Sequence, residues 1–139
     1  MNKPIFIDFG CGPNTKYLTR YRKKGYYVIS VDRSEQDLYE NSDIKDISYY
    51  ELVSDEISFF DITDPSKKTN YLADVWMCSA VMEHIEPNQI DPFLSGIKNS
   101  CKKGSRGVIY IDLTDHFGGF DHRVNPEKYN NFIKNAYEE

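Results

Sequence analysis

The stretch from Ile5 to Asp32 constrains this chain more than any other. An apolar run, Ile5-Phe6-Ile7-Asp8-Phe9, ends in Gly10-Cys11-Gly12-Pro13-Asn14, a basic segment follows, and a second apolar run from Tyr26 ends at Asp32. Short apolar runs of this kind suit strands buried on both faces. The segment between them has the length of a helix, which Asn14 or Thr15 can cap and Gly25 can end. The result is a β-loop-α-β unit. Gly10 and Gly12 tolerate positive φ and carry no Cβ to hold a ligand off the backbone. Asp32 lies about twenty residues beyond the turn, the spacing at which a carboxylate reaches a ribose hydroxyl pair. The unit predicts a nucleoside-type ligand across the carboxyl ends of parallel strands.

Which nucleoside follows from the turn chemistry. A dinucleotide turn reads Gly-x-Gly-x-x-Gly, but Thr15 stands where the third glycine belongs. Pro13 has no amide hydrogen, and a pyrophosphate at a helix N-terminus depends on such amides. Acids also gather at the expected strand ends, as Asp8, Asp32 and Asp61. They repel phosphate and attract a cation. A ribose ligand with positive charge and no phosphate fits this pattern, and S-adenosylmethionine, with its sulfonium and ammonium, is such a ligand.

The rest of the chain continues the alternation. Ser34 caps a short helix with Asp37 in the capping-box position. Residues 42–56 follow no clean period and lead, as a helix, into a third strand over Ile57–Phe60. A short crossover helix over Pro65–Leu72, opened by Asp64, and a fourth strand over Ala73–Cys78 come next. Pro87–Lys103 carries the clearest helical pattern, with Ile90, Phe93, Leu94, Ile97 and Cys101 on one face, Asn88 as cap and Gly104 as stop. A fifth strand spans Gly107–Leu113. Strands alternating with helices imply a parallel sheet with right-handed crossovers and helices on both faces. The expected strand order is 3-2-1-4-5, with the ligand at the switch between strands 1 and 4.

Taken together, Asp8-Phe9-Gly10-Cys11-Gly12-Pro13-Asn14, Val31-Asp32, Phe60-Asp61-Ile62 and Ser79-Ala80-Val81-Met82-Glu83-His84-Ile85 resemble class I S-adenosylmethionine-dependent methyltransferases. The resemblance covers about residues 5 to 113, in the family's order. It implies a Rossmann-like α/β fold with S-adenosylmethionine as cofactor. It places Gly10, Cys11 and Gly12 against the methionine part and Asp8 near its ammonium. Asp32, with Arg33 beside it, takes the ribose. Asp61 accepts from the adenine amino group with the Ile62 amide near the ring, and Ser79 lines the methionine end. For most of these a structural role stands beside the functional one: Asp8 as a buried acid bonded to loop amides, Asp61 as a turn cap, Cys11 as a small side chain between glycines.

Two histidines are candidates for general-base duty. His84, next to Glu83, follows strand 4 closely, and a structural role is its alternative. His116 lies in Asp112-Leu113-Thr114-Asp115-His116-Phe117-Gly118-Gly119-Phe120-Asp121-His122, which begins at the carboxyl end of strand 5 and borders the acceptor side. Gly118 and Gly119 could hinge a lid there. Mixed acid and histidine pairs in such a loop read as hydrogen-bonded surface residues, so no metal is expected.

The family fold continues with two further strands, and none is legible after Leu113, where 114–139 reads as a lid loop and a helix over Pro126–Tyr137. Strand 5 is then an apolar edge, which invites pairing. The tail helix, a second subunit in a homodimer through that edge, or the remainder of a longer protein could cover it.

The 139 residues suit a single domain. A net charge of −5 argues against a nucleic-acid groove, which needs an excess of lysine and arginine. The cluster Lys16, Arg20, Arg22, Lys23, Lys24 instead suits the end of a helix. Three cysteines (Cys11, Cys78, Cys101), far apart, fit a reducing compartment. No apolar run approaches a membrane span, and the chain leads from Met1 straight into its first strand, so a cytoplasmic protein is expected. The leading expectation is methyl transfer to an oxygen or nitrogen of a small-molecule acceptor. A non-catalytic cofactor-binding module or partner subunit is the alternative. A nucleotide-dependent oxidoreductase is disfavoured by Pro13 and Thr15.

Overall fold

The computed structural model of the chain describes residues 2–12, 16–36 and 48–112, excepting the side chains at 48 and 49. Five strands, β1 (Ile5–Phe9), β2 (Tyr27–Asp32), β3 (Glu56–Phe59), β4 (Ala73–Ser79) and β5 (Cys101–Tyr110), form one sheet in the order β3-β2-β1-β4-β5. Every pairing is parallel. Among the described residues three α-helices accompany them: α1 (Lys16–Lys23), α2 (Ser48–Val53) and α3 (Ile90–Asn99). The expected strand order and fold class are those observed.

Strand periodicity divides the core into two layers. Ile5, Ile7 and Phe9 of β1 face one way, with Ile29, Val31 and Cys78, and pack under Phe93 and Ile97 of α3. Phe6 faces the other way with Val28 and Met77, under Leu18 of α1 and Tyr50 of α2. All five residues of β1 are buried, as befits the central strand of a sheet covered on both sides. Arg22 completes the α1–α2 side. Its guanidinium donates to the carbonyls of Leu52 (2.7 Å) and of Glu51 and Ser54 (both 3.4 Å), at the carboxyl end of α2 where a cation complements the dipole.

Three expected elements differ: the crossover helix, the carboxyl end of α3, and β5, which spans Cys101–Tyr110 and not Gly107–Leu113. No helix forms over Pro65–Leu72. Asp61 Oδ1 accepts the Thr63 amide and hydroxyl (2.9 and 2.8 Å), and Asp64 Oδ1 does the same for Ser66 (2.9 and 2.7 Å). Two successive turns closed by aspartate side chains take the backbone donors that a helix would need. The second difference is the end of α3. The helix stops at Asn99, not Lys103, because buried Ser100 turns its carbonyl to the Ala73 amide (2.8 Å) and its hydroxyl to the Thr69 amide (3.3 Å). Cys101 therefore already pairs with Ala73 as the first residue of β5, and Gly104 (φ +83°) lies inside an irregular stretch of that strand rather than stopping a helix. Asn88 does not cap α3; it belongs to a separate 3-10 turn, Pro87–Gln89, that precedes it.

At the far end of the sheet Asp74 ties three strands together. It accepts the Ile5 amide at 2.8 Å and holds Lys102 Nζ at 2.8 Å through both oxygens. Val108 and Tyr110 along β5, and Ile111 just beyond it, are exposed; β5 is the sheet's edge among the described residues. The helix completing the Ser34–Asp37 capping box, the Asn14 and Thr15 caps, the 114–139 lid and the tail helix fall outside the described residues. No described helix is long and apolar enough to cross a membrane.

Candidate functional site

The parallel sheet aligns the carboxyl ends of β1 to β4, and a cavity of about 610 Å³ opens there. That volume lies in the range of small-molecule sites. Gly10 and Gly12 form one wall, Asp32 and Arg33 the next, and Phe60 to Thr63 a third. Ala80, Val81, His84 and Glu86 close the side after β4, with Phe93 of α3 beneath. A second cavity, about 700 Å³, lies against α3 and the start of β5, lined by Trp76, Ile97 and three lysines. It gathers none of the candidate site residues.

The glycine turn is held by its own chain. The Gly10 and Cys11 amides both donate to the Val31 carbonyl, at 2.8 and 3.0 Å. The Gly12 amide donates to Asp32 Oδ2 at 3.0 Å, while Asp32 Oδ1 accepts the Arg33 amide at 2.8 Å. From behind, the Tyr50 hydroxyl donates to the Gly12 carbonyl at 2.8 Å. Gly10 and Gly12 adopt φ of +69° and +47°, which glycine alone takes without strain. Asp32 therefore points at the turn and not away from it. All three described amides of the turn are committed inside the protein, and Pro13 adds none, so a phosphate finds no donors among them.

Asp8 is buried behind the turn, on the α1–α2 side of the sheet, and does not line the cavity. Burial, and secondly the charge of Asp32, push its carboxyl from 3.8 up to about 7. Cys11 is likewise buried, and its thiol is pushed well above the usual value by burial and by Asp8 and Asp32. It stays protonated and lacks the thiolate that redox chemistry needs. Cys78, also buried, is pushed up to about 12, chiefly by burial.

The other predicted residues divide. Asp61 and Ile62 line the cavity, although Asp61 also closes its own turn on Thr63. Ser79 ends β4 without lining the cavity, and Ala80 and Val81 stand there instead. His84 is exposed and lines the mouth. Glu83 turns away, its Oε1 accepting the Asp112 amide at 3.3 Å. His116 lies outside the described residues.

Sequence reasoning missed Tyr50, the buried support of the glycine turn, because it stands in a segment without periodicity. It also missed Thr63, whose signal was present as Asp-x-Thr, the spacing of a turn closed by an aspartate side chain. Phe93, part of the apolar floor, reads in the sequence only as helix core.

No protein-family model and no curated protein sequence matches the chain. Solved structures do. The complex of DhpI with S-adenosylhomocysteine is 18% identical, with a TM-score of 0.55 over 83% of this chain and 52% of that one. The glycopeptide N-methyltransferase MtfA is 8% identical (TM-score 0.58, 78% of this chain, 47% of that). A TehB-like S-adenosylmethionine-dependent methyltransferase from Corynebacterium glutamicum is 18% identical (TM-score 0.58, 78% and 55%). The chain thus spans about half the length of these structures.

Proposed function

From the class I methyltransferase fold of this chain, we propose that it binds S-adenosylmethionine in the cavity above β1 to β4 and transfers its methyl group to an oxygen or nitrogen of a small-molecule acceptor. One observation carries the reading. Asp32 aims its carboxylate at a glycine turn whose described amides are already committed, which favours a ribose bearing positive charge over a phosphate.

The residues fit such a compound. Asp32 can accept from the ribose hydroxyl pair through its two carboxylate oxygens. Asp61 and Ile62 face the adenine, Phe60 and Phe93 supply apolar contact, and Gly10 and Gly12 admit the methionine part. Asp8 stands a layer deeper, behind the turn and outside the cavity. When bound, the sulfonium supplies an electrophilic methyl. The chain's own task is then to hold an acceptor in line near contact distance. Where the acceptor must lose a proton, His84 at the mouth can take it.

A second reading, a cofactor-binding module or partner subunit without catalysis of its own, is favoured by one fact. The chain spans about half of the solved methyltransferases it matches. Calorimetry with S-adenosylmethionine, S-adenosylhomocysteine and a nicotinamide dinucleotide tests the binding. Affinity for the adenosyl pair alone is expected, and selective binding of the dinucleotide would overturn it. Formation of S-adenosylhomocysteine on incubation with pooled hydroxyl and amine acceptors then separates enzyme from module.

A further inference from the structure

Gly96 stands in the second half of α3, on the buried face that also carries Phe93 and Ile97. Glycine there forgoes about 1 kcal/mol of helix propensity relative to alanine. What the absent side chain leaves room for is main chain. A Cβ on Gly96 would overlap the Ile62 carbonyl oxygen and lie 2.9 Å from the carbonyl carbon. A flexible side chain could swing aside; a peptide group cannot.

The peptide it rests on belongs to the turn that forms the third cavity wall. Asp61 Oδ1 holds the amide and hydroxyl of Thr63, and the Asp61 carbonyl holds the Asp64 amide at 3.0 Å, so the turn moves as one piece. Its upstream end is pinned where the Phe60 amide donates to the Asp32 carbonyl at 3.0 Å. The approach of α3 at Gly96 is the brace on the other side. Any side chain at 96 would drive the turn toward the cavity by on the order of 1 Å, about twice the tolerance of a preorganised site.

We infer that Gly96 is a positioning residue for nucleobase recognition: by letting the helix backbone rest on Ile62, it sets the depth at which Asp61 meets the base and so selects a base with an exocyclic amino group. This rests on the proposed adenosyl site and adds to it a residue that touches no ligand. A carboxylate accepts from the amino group of adenine but repels the carbonyl oxygen that hypoxanthine presents at the same position.

The test compares S-adenosylhomocysteine with S-inosylhomocysteine, its 6-oxo analogue, by calorimetry. The parent is expected to prefer the adenosyl compound about tenfold or more, the range of a hydrogen bond to a charged group. In Gly96→Ala the preference should fall below about threefold, because the carboxylate is displaced. A merely structural loss would weaken both compounds alike and leave the ratio intact, which would overturn the inference. Equal binding of the two by the parent would overturn it as well. Binding of neither would overturn the adenosyl site itself. Should Gly96→Ala fail to fold, Thr63→Val loosens the same turn without touching the helix, and an unchanged ratio in that variant would equally refute the assignment.

Discussion

The carboxyl groups of Asp8 and Asp32 stand on neighbouring parallel strands, close enough that the charge of one opposes ionisation of the other. Burial is the larger influence on Asp8, and the two together hold its proton to about pH 7, against 3.8 ordinarily. In the unfolded chain the proton leaves near 3.8. The stabilisation is therefore complete below that value and lost as pH rises to about 7, after which it changes no further. Asp8→Asn should remove this dependence. Denaturant titrations are expected to show parent and variant alike near pH 4 and the variant ahead by up to ~4 kcal/mol above pH 7. A cationic ligand favours the ionised carboxyl, so its binding should tighten with rising pH and release a proton. Calorimetry in buffers of different ionisation enthalpy reads that proton directly.

Asp32 joins the glycine turn to the expected ribose position. Asp32→Ala removes the acceptor for the Gly12 and Arg33 amides as well as the ribose contact. Binding of S-adenosylhomocysteine should weaken by tenfold or more, with a loss of about 1–2 kcal/mol in stability. His116→Ala, a change on the expected acceptor side, should leave binding within about twofold. Titration calorimetry of both variants measures the contrast.

Gly10 and Ala80 both line the cavity, and their backbones carry unequal strain. Both adopt positive φ, +69° and +55°. A Cβ on Gly10 would overlap the Val81 side chain, so Gly10→Ala should cost roughly 2–3 kcal/mol through strain and crowding. Ala80 already carries the penalty of a left-handed backbone, about 1–2 kcal/mol. Ala80→Gly relieves it against a smaller loss of chain entropy, and a rise of up to ~1 kcal/mol is expected. Thermal unfolding of the two variants should move in opposite directions.

At the other end of the sheet, the Lys102 ammonium and then the Ile5 amide hold the Asp74 carboxyl below its usual value. The stabilisation is present above the ordinary value and lost as pH falls through the lowered one. Asp74 is partly exposed, so Asp74→Asn should cost only about 1 kcal/mol. Binding of S-adenosylhomocysteine should not change, because the tie lies at the amino ends of the strands.

The central strand, the glycine turn and the acids at the strand ends were legible because each depends on local pattern: apolar runs, absent Cβ atoms, a fixed spacing to Asp32. What escaped depends on competition between neighbours. Asp64 looked like a helix cap, but it and Asp61 each close a turn with the hydroxyl residue two positions on, and together they leave no crossover helix. The apolar period of α3 ran on to Cys101, yet Ser100 is captured by Thr69 and Ala73, contacts that only the folded sheet brings near. Gly96 carried no signal at all, since a glycine inside a helical pattern reads as weak propensity until its neighbour is known.

The glycine turn keeps its shape through bonds supplied by Val31, Asp32 and Tyr50. Nothing in that arrangement waits for a guest. A receptacle finished in advance demands little ordering when a cofactor arrives and undergoes no collapse when the spent form departs. On the proposed reading, the tempo of repeated rounds would pass to whatever admits the acceptor, with the glycine turn a fixed seat beneath it.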